Sequence, residues 1–121
     1  MQLGINPREK QGAVILDLVG RIVAGPECDA LRAQIKELQA GGQKRIVLNM
    51  AEISRIDSTG IGMLVEAVIN AVKLGGQLKL INLPRLVNNV LITHRLLQAF
   101  EIHATEEEAL TSFAKASEPA A

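Results

Sequence analysis

Arg45-Ile-Val-Leu-Asn49 is a run of branched apolar residues, and Ser58-Thr-Gly-Ile-Gly-Met-Leu-Val65 begins a segment of a different period. The first run is typical of a buried strand, and residues 53–56 are expected to form a connecting segment after it. From Ser58 the apolar residues recur at helical spacing and share one face: Ile61, Leu64, Val65, Val68 and Val72. Two glycines at 75–76 end this helix, and residues 77–83 form the next strand. Strand, helix and strand in this order predict a βαβ unit with a right-handed crossover and parallel strands.

The chain before this unit continues the alternation of strands and helices. Residues 2–6 and 13–20 are predicted strands, and the first lies at an edge because Pro7 follows it. Gly25-Pro26 then opens a helix, since proline is tolerated in the first turn, where its missing N–H would have had no partner. The apolar stripe of this helix consists of Cys28, Leu31, Ile35 and Leu38.

The chain after the unit adds two helices and one strand. Pro84 opens a third helix whose apolar residues are Leu86, Val90 and Leu91. Residues 100–103 form a short strand. Thr105 and Glu108 have the spacing of a capping box, in which each side chain bonds the backbone N–H of the other residue. The helix that they open continues through Leu110 and Phe113.

The predicted element order, β-β-α-β-α-β-α-β-α, belongs to the α/β class. It implies a mixed, mostly parallel sheet covered by about four helices, with the first strand antiparallel to the second. A chain of 121 residues has the length of one domain. We expect this domain to span residues 2–115 and residues 116–121 to form a flexible C-terminal tail.

The composition argues against several classes of function. Thirteen basic and thirteen acidic residues give a formal net charge of zero, so no domain-wide positive field attracts nucleic acid or an anionic membrane. The only aromatic residues are Phe100 and Phe113, which leaves no stacking platform for single-stranded nucleic acid. The apolar runs are too short to span a bilayer, and the single cysteine, Cys28, cannot form an intramolecular disulfide. We therefore expect a cytoplasmic protein with no direct nucleic-acid binding and no membrane insertion.

No residue pattern in the chain predicts a catalytic or metal site. Neither His94 nor His103 has a Cys or His neighbour at metal-ligand spacing. Cys28 lies on an apolar stripe, and the glutamates at 106–108 complement a helix dipole, so a structural role suffices for each. The phosphate-binding loop and the Gly-x-Ser-x-Gly nucleophile motif are both missing. The sequence therefore predicts a protein that is not an enzyme and has no cofactor or metal.

The remaining cluster is Asp57-Ser-Thr-Gly-Ile-Gly62, where a loop enters the second helix. Its simplest role is a helix cap by Asp57 or Ser58, worth about 1 kcal/mol. A cap does not require two hydroxyls beside a carboxylate, nor two early glycines that each cost about 1 kcal/mol relative to alanine. Gly60 and Gly62 are expected to keep the surface clear for another protein, so Gly60→Arg should impair binding more than stability. A phosphate is tolerated at such a helix N-terminus.

Ile56-Asp-Ser-Thr-Gly-Ile-Gly62 resembles the signature of STAS domains, in particular the anti-sigma factor antagonists of sporulation and stress response. The resemblance covers nearly the whole chain, from residue 2 to about residue 113. It includes Leu18-Val-Gly-Arg-Ile22 after the second strand, Arg45-Ile-Val-Leu-Asn49, and Leu74-Gly-Gly-Gln-Leu78 after the signature helix. It implies a mixed sheet covered by helices, as the residue patterns also predict.

The resemblance implies a mechanism of partner switching. The unphosphorylated antagonist binds an anti-sigma factor, which frees the sigma factor. The anti-sigma factor is also a serine kinase, and it is released once it has phosphorylated the antagonist. A serine phosphatase then resets the antagonist. In this chain the phosphoacceptor falls on Ser58.

The resemblance also implies a partner surface. That surface consists of Arg21, Val23, Asp57, Ser58, Thr59, Gly60, Ile61 and Gly62. Some antagonists carry an acidic residue two or three positions beyond the glycine that follows the second strand, where this chain has Val23. This departure leaves the identity of the partner and its affinity open.

Two other classes of function remain open. The chain could be the accessory subunit of a lipid-transport ABC system, or part of a larger stress-signalling complex. Some of these STAS domains carry Thr in place of the signature Ser, so the order Ser58-Thr59 favours the antagonist. A small enzyme or nucleotide-binding protein is disfavoured, because the phosphate-loop lysine and catalytic bases are missing.

Overall fold

The computed structural model describes residues 3–116, which contain a five-stranded sheet whose strand order follows the chain. The strands are β1 (Gly4–Lys10), β2 (Ala13–Ile22), β3 (Arg45–Ile56), β4 (Gln77–Ile81) and β5 (Glu101–His103). β1 is antiparallel to β2, and every other neighbouring pair is parallel. This arrangement confirms the predicted mixed, mostly parallel sheet.

Four α-helices lie within residues 3–116, as predicted: α1 (Pro26–Ala40), α2 (Ser58–Lys73), α3 (Arg85–Thr93) and α4 (Glu106–Ala116). The first three supply apolar side chains to the larger core, which we call the front core. α4 packs on a smaller core formed with Ala13, Ile15, Val47 and Ile81, on the back face of the sheet. Within the described residues, no helix combines the length and the apolar character needed to cross a membrane.

The first hairpin is longer than the sequence predicts. β1 runs through Pro7, so the predicted end of this strand before the proline is wrong. An edge strand tolerates proline because one of its sides has no partner strand. Gln11 and Gly12 alone connect β1 to β2, with φ angles of 52° and 78°. Two consecutive positive φ angles give the twist that matches a tight hairpin.

β2 and β3 also continue past their predicted ends. β2 reaches Ile22, and residues 53–56 belong to β3, so the predicted connecting segment at this point is wrong. The pairing of β1 with β2 ends at Val19, and the pairing of β4 with β3 ends at Asn49. Beyond those points β2 and β3 pair only with each other. At two places along this pair the register shifts, because β3 has one residue more than the facing part of β2. We call residues 20–22 and 53–56 the β2–β3 extension.

The C-terminal elements are close to their predicted bounds. β4 ends two residues early because Asn82 adopts a positive φ of 55°, which leaves the strand conformation. Thr105 Oγ1 accepts a hydrogen bond from the N–H of Glu108 at 3.2 Å, one of the two bonds of a capping box. Ala116 still belongs to α4, whereas residues 117–121 of the predicted tail, like residue 2, lie outside the described residues.

Small residues form more of the buried face of α2 than the sequence predicts. Val72 was expected on that face and is 67% exposed, while Val65 and Val68 pack at its margin. The buried residues of α2 are Gly60, Ile61, Met63, Leu64, Ala67 and Ala71. Likewise in α3, Leu86 is exposed and Val87 is buried. Apolar character alone predicts that valine is buried in preference to alanine. A helix that packs closely on the sheet, however, requires small side chains on its buried face.

Side chains of β1 and β4 attach α4 to the sheet through polar contacts. Arg8 of β1 forms ion pairs with Asp17, at 2.6 Å, and with Glu106 at the start of α4. Lys79 of β4 is only 1% exposed, and its Nζ donates to Ser112 Oγ of α4 at 3.0 Å. The contacts of Arg8 and Lys79 join α4 to strands that are distant in the chain. They hold α4 on the sheet together with the small apolar core on the back face.

The ion pairs of Arg8 predict an acid-sensitive stability. The guanidinium of Arg8 lowers the pKa of both Asp17 and Glu106. A carboxyl group with a lowered folded pKa stabilises the fold above its unfolded pKa and loses this contribution as the pH falls through the folded pKa. The free energy of unfolding should therefore fall between about pH 5 and pH 2, and Arg8→Gln should flatten this fall. Because the pairs are partly exposed, each contributes less than about 1 kcal/mol at neutral pH.

Urea denaturation across this pH range measures the effect. Arg85→Gln is the matched control, since Arg85 is exposed at the start of α3 and forms no ion pair within residues 3–116. Parallel pH profiles for Arg8→Gln and the wild type would contradict the assignment.

Candidate functional site

Asp57 joins the start of α2 to the end of β2. Its Oδ1 accepts the N–H of Gly60 at 2.8 Å, which caps α2. Its Oδ2 accepts the N–H of Ala24 at 2.9 Å, in the loop that follows β2. The backbone N–H of Asp57 also donates to the carbonyl oxygen of Ile22 at 3.3 Å. One residue therefore holds the loop after β2 against the first turn of α2.

The surroundings of Asp57 favour its charged form. Partial burial acts to raise the pKa of Asp57, but the backbone N–H groups of Ala24, Gly60 and Thr59 together outweigh it and lower that pKa. A negative charge directly before a helix also interacts favourably with the helix dipole. At neutral pH the site thus contains a carboxylate whose two oxygens already accept backbone hydrogen bonds.

Ser58 and Thr59 present two exposed hydroxyl groups at the start of α2. Within residues 3–116, neither hydroxyl forms a hydrogen bond. The sequence left open whether Asp57 or Ser58 caps the helix, and the structure assigns the cap to Asp57. The Ser58 hydroxyl is therefore not engaged in holding the helix together.

Gly60 is buried where the first turn of α2 meets β2. A Cβ atom on Gly60 would lie 2.2 Å from the carbonyl oxygen of Ile22 and 2.9 Å from Cγ2 of Ile22. No side chain fits there without moving the backbone. Gly60→Arg should therefore lower stability strongly, against the prediction that it would impair binding more than stability. Gly62 differs, because it is exposed and a Cβ atom there would meet nothing within 4 Å.

The other residues of the predicted partner surface divide into accessible and inaccessible ones. Arg21 and Val23 are partly buried at the end of β2 and in the following loop. Ile61 is 2% exposed in the front core, so its side chain cannot contact a partner while the fold is intact. Arg55, which sequence reasoning missed, is paired with Arg21 in the register of β2 and β3. Its position two residues before Asp57 was the feature of the sequence that could have placed Arg55 near this surface.

The histidines lie on elements outside this site, and the cysteine is buried in α1, where the charge of Asp57 still acts on it. His94 follows α3 and is exposed, and His103 is partly buried in β5. Cys28 is 1% exposed in α1, and its burial raises the pKa of the thiol. No group of three or more His, Cys, Asp or Glu side chains suited to hold a metal occurs in the described part of the chain.

A model of the STAS domain matches residues 4–109. The chain belongs to the STAS family. No curated protein sequence matches that of the chain. The site described above therefore lies in a STAS domain, at the junction of its second strand with its second helix.

Solved structures share the STAS fold of this chain. A candidate anti-sigma factor antagonist from Thermotoga maritima has a TM-score of 0.84 and 21% identity, over 91% of this chain and 94% of that one. The phosphorylated form of the cell fate determinant SpoIIAA from Bacillus has a TM-score of 0.69 and 22% identity, over 90% and 98% of the two chains. A sulfate transporter family protein from Wolinella succinogenes has a TM-score of 0.68 and 18% identity, over 86% of each chain. At these identities the likeness concerns the fold alone.

Alanine substitutions of the two glycines in the first turn of α2 should have opposite effects on stability. Gly60→Ala should lower the free energy of unfolding by about 3 kcal/mol, because its Cβ atom would overlap the backbone of β2. Gly62→Ala should raise it by up to about 1 kcal/mol, because alanine is the better helix former and space is free. Urea denaturation of the two variants gives both values. Equal effects would show that the contact of Gly60 with Ile22 does not limit the packing.

Proposed function

We propose that this STAS domain is an anti-sigma factor antagonist that works by partner switching, with Ser58 as its phosphoacceptor. The observation that carries the proposal is the free, exposed hydroxyl of Ser58 beside a helix cap that Asp57 alone provides. Phosphorylation can therefore change the surface without removing the cap. The fold that this chain shares with SpoIIAA, solved in a phosphorylated form, supports the same role.

The proposed partners are an anti-sigma factor that is also a serine kinase, and a serine phosphatase that resets Ser58. In this scheme the domain, residues 2–115, is a cytoplasmic regulator without catalysis of its own. The unphosphorylated domain binds the anti-sigma factor through the surface around Ser58. Val23, Thr59 and Gly62 belong to that surface, because they are accessible in the loop after β2 or on the first turn of α2.

Charge at the interface accounts for the release of the partner. A phosphoserine adds a charge of about −1.5 to −2 at neutral pH. Within the domain, the gain from the helix dipole is offset by repulsion from the ionised Asp57. Against a packed partner surface, the phosphate loses hydration and meets like charge, which costs several kcal/mol. Since each 1.4 kcal/mol is about tenfold in affinity, this suffices to separate the partners without refolding.

The likeness to a sulfate transporter family protein favours a second candidate, a STAS subunit of a transport system. The lipid-transport ABC accessory subunit belongs to this alternative, whereas a part in a larger stress-signalling complex is a separate role that STAS domains also have. A pull-down from native lysate with wild-type and Ser58→Asp protein separates the two functions. A serine kinase that binds the wild type and not Ser58→Asp supports the antagonist, whereas an ABC ATPase bound equally by both supports the alternative.

Phosphorylation by the cognate kinase should be confined to Ser58. Incubation with the kinase and ATP should add one phosphate to the wild type and to Thr59→Ala, and none to Ser58→Ala. Intact mass and fragment mass spectrometry give the number and the position of the phosphates. Thr59→Ala is the matched control, because Thr59 is the neighbouring exposed hydroxyl on the same turn. Phosphate on Thr59, or on Ser58→Ala, would refute the assignment of Ser58.

The affinities of three forms of residue 58 should follow their charge. Ser58→Ala should bind the anti-sigma factor as tightly as the wild type, because the hydroxyl is free and Asp57 keeps the cap. Ser58→Asp should bind more weakly, and phosphoserine most weakly, by about a hundredfold or more. Titration calorimetry measures the three values. Equal affinities would place Ser58 outside the interface.

A further inference from the structure

Two arginines lie side by side in the β2–β3 extension. Arg21 and Arg55 are register partners, and so are the residues that follow them, Ile22 and Ile56, which are buried in the front core. Because successive side chains of a strand point to opposite faces, both arginines belong to the back face of the sheet. Like charges directly opposite each other destabilise a sheet. Two positive charges in register therefore favour the binding of an anion.

The described part of the chain provides no anion for this pair. Neither Arg21 nor Arg55 forms an ion pair within residues 3–116. The Nε atom of Arg21 is buried and, within the same residues, has no hydrogen-bond partner. Glu52, the acidic residue nearest to Arg55 along β3, pairs with neither arginine, and both oxygens of Asp57 accept backbone N–H groups. An unpaired buried donor costs roughly 1–3 kcal/mol, so a ligand that completes this site is favoured.

The arginine pair adjoins the proposed switch. Ser58 follows Arg55 by three residues, so their Cα atoms are at most about 11 Å apart. On the neighbouring strand, the backbone of Ile22, next to Arg21, accepts the N–H of Asp57. Arg55 is exposed and Arg21 is partly exposed, so both are open to a partner that approaches the end of the sheet.

We infer that Arg21 and Arg55 bind the carboxylates of an acidic segment on the anti-sigma factor, an inference that rests on the proposed function. A guanidinium group binds a carboxylate through two parallel hydrogen bonds, so two arginines in register on neighbouring strands fit a segment with at least two Asp or Glu side chains. Partial desolvation of Arg21 strengthens this attraction. A phosphate on nearby Ser58 then repels the same acidic segment, which links recognition to release.

The first test needs no anti-sigma factor. The full-length, ¹⁵N-labelled chain is titrated with a hexaglutamate peptide while NMR follows the arginine Nε–H signals. The Arg21 and Arg55 signals should shift saturably, with a dissociation constant of about 1 mM, and a hexaglutamine peptide should have no effect. Arg55→Gln should abolish the shift of Arg21. Uniform shifts of all arginine signals, or an equal response to inorganic phosphate, would overturn the inference.

The second test measures binding to the anti-sigma factor kinase at several salt concentrations. Arg55 is exposed, so Arg55→Glu should fold normally and should lose about tenfold or more in affinity at low salt, with a smaller loss at high salt. Arg55→Lys should retain part of the affinity. Lys73→Glu is the control of equal charge change, because the exposed Lys73 lies about 22 Å along α2 from Ser58. It should change the affinity by less than about twofold.

The outcomes separate this inference from the proposed function. If the kinase binds Arg55→Glu and Lys73→Glu equally well, the arginine pair is not part of the interface and the proposed function stands. If no kinase binds the wild type, the proposed function fails, and the peptide titration still decides whether the pair binds acidic segments. An Arg55→Glu variant that binds normally when unphosphorylated, and changes only the phosphorylated form, would show that the pair binds the phosphate instead.

Discussion

The contact between Gly60 and the carbonyl group of Ile22 is the constraint on which the candidate site depends. It lets the first turn of α2 rest directly on the end of β2, without a side chain between the two backbones. Because the first turn of α2 lies so close to β2, the two carboxylate oxygens of Asp57 reach the N–H groups of both Gly60 and Ala24. A helix displaced by even one methyl group would disturb the bonds to the loop after β2. The positions of the loop after β2, of the helix cap and of the Ser58 backbone therefore depend on the same contact.

The element order was predictable from sequence because it depends on local periods. The helical period from Ser58, the glycines at 75–76 and the branched run at residues 45–49 each act within a few residues. Gly75 has a positive φ of 80°, and the N–H of Gly76 donates to the carbonyl oxygen of Ala71, so the predicted helix end has a local cause. The bounds of β1 and β3 were not predictable in this way. Pro7 is acceptable only at an edge, and the end of β3 is stabilised by the equally extended β2.

The candidate site shows the same division between local and distant causes. The Asp57-Ser58 order marks the cap and the free hydroxyl, both of which follow from the local helix start. The glycine at 60 was misjudged because its cause is the backbone of Ile22, thirty-eight residues earlier in the chain. Arg55 was missed for a related reason: only the register of two strands brings it beside Arg21. Ile61 could have been excluded, since its place on the apolar stripe already indicated burial.

The strand order of the sheet has a consequence for how the chain folds as it leaves the ribosome. Each strand lies beside the one synthesised just before it, from β1 through β5. No strand has to be inserted between two others, so the sheet can grow at one edge while synthesis continues. Contacts between neighbours in sequence also keep the loops to be closed short, which favours rapid folding. The residues of the site between β2 and α2 are all synthesised before β4, so this region can form ahead of the last third of the domain.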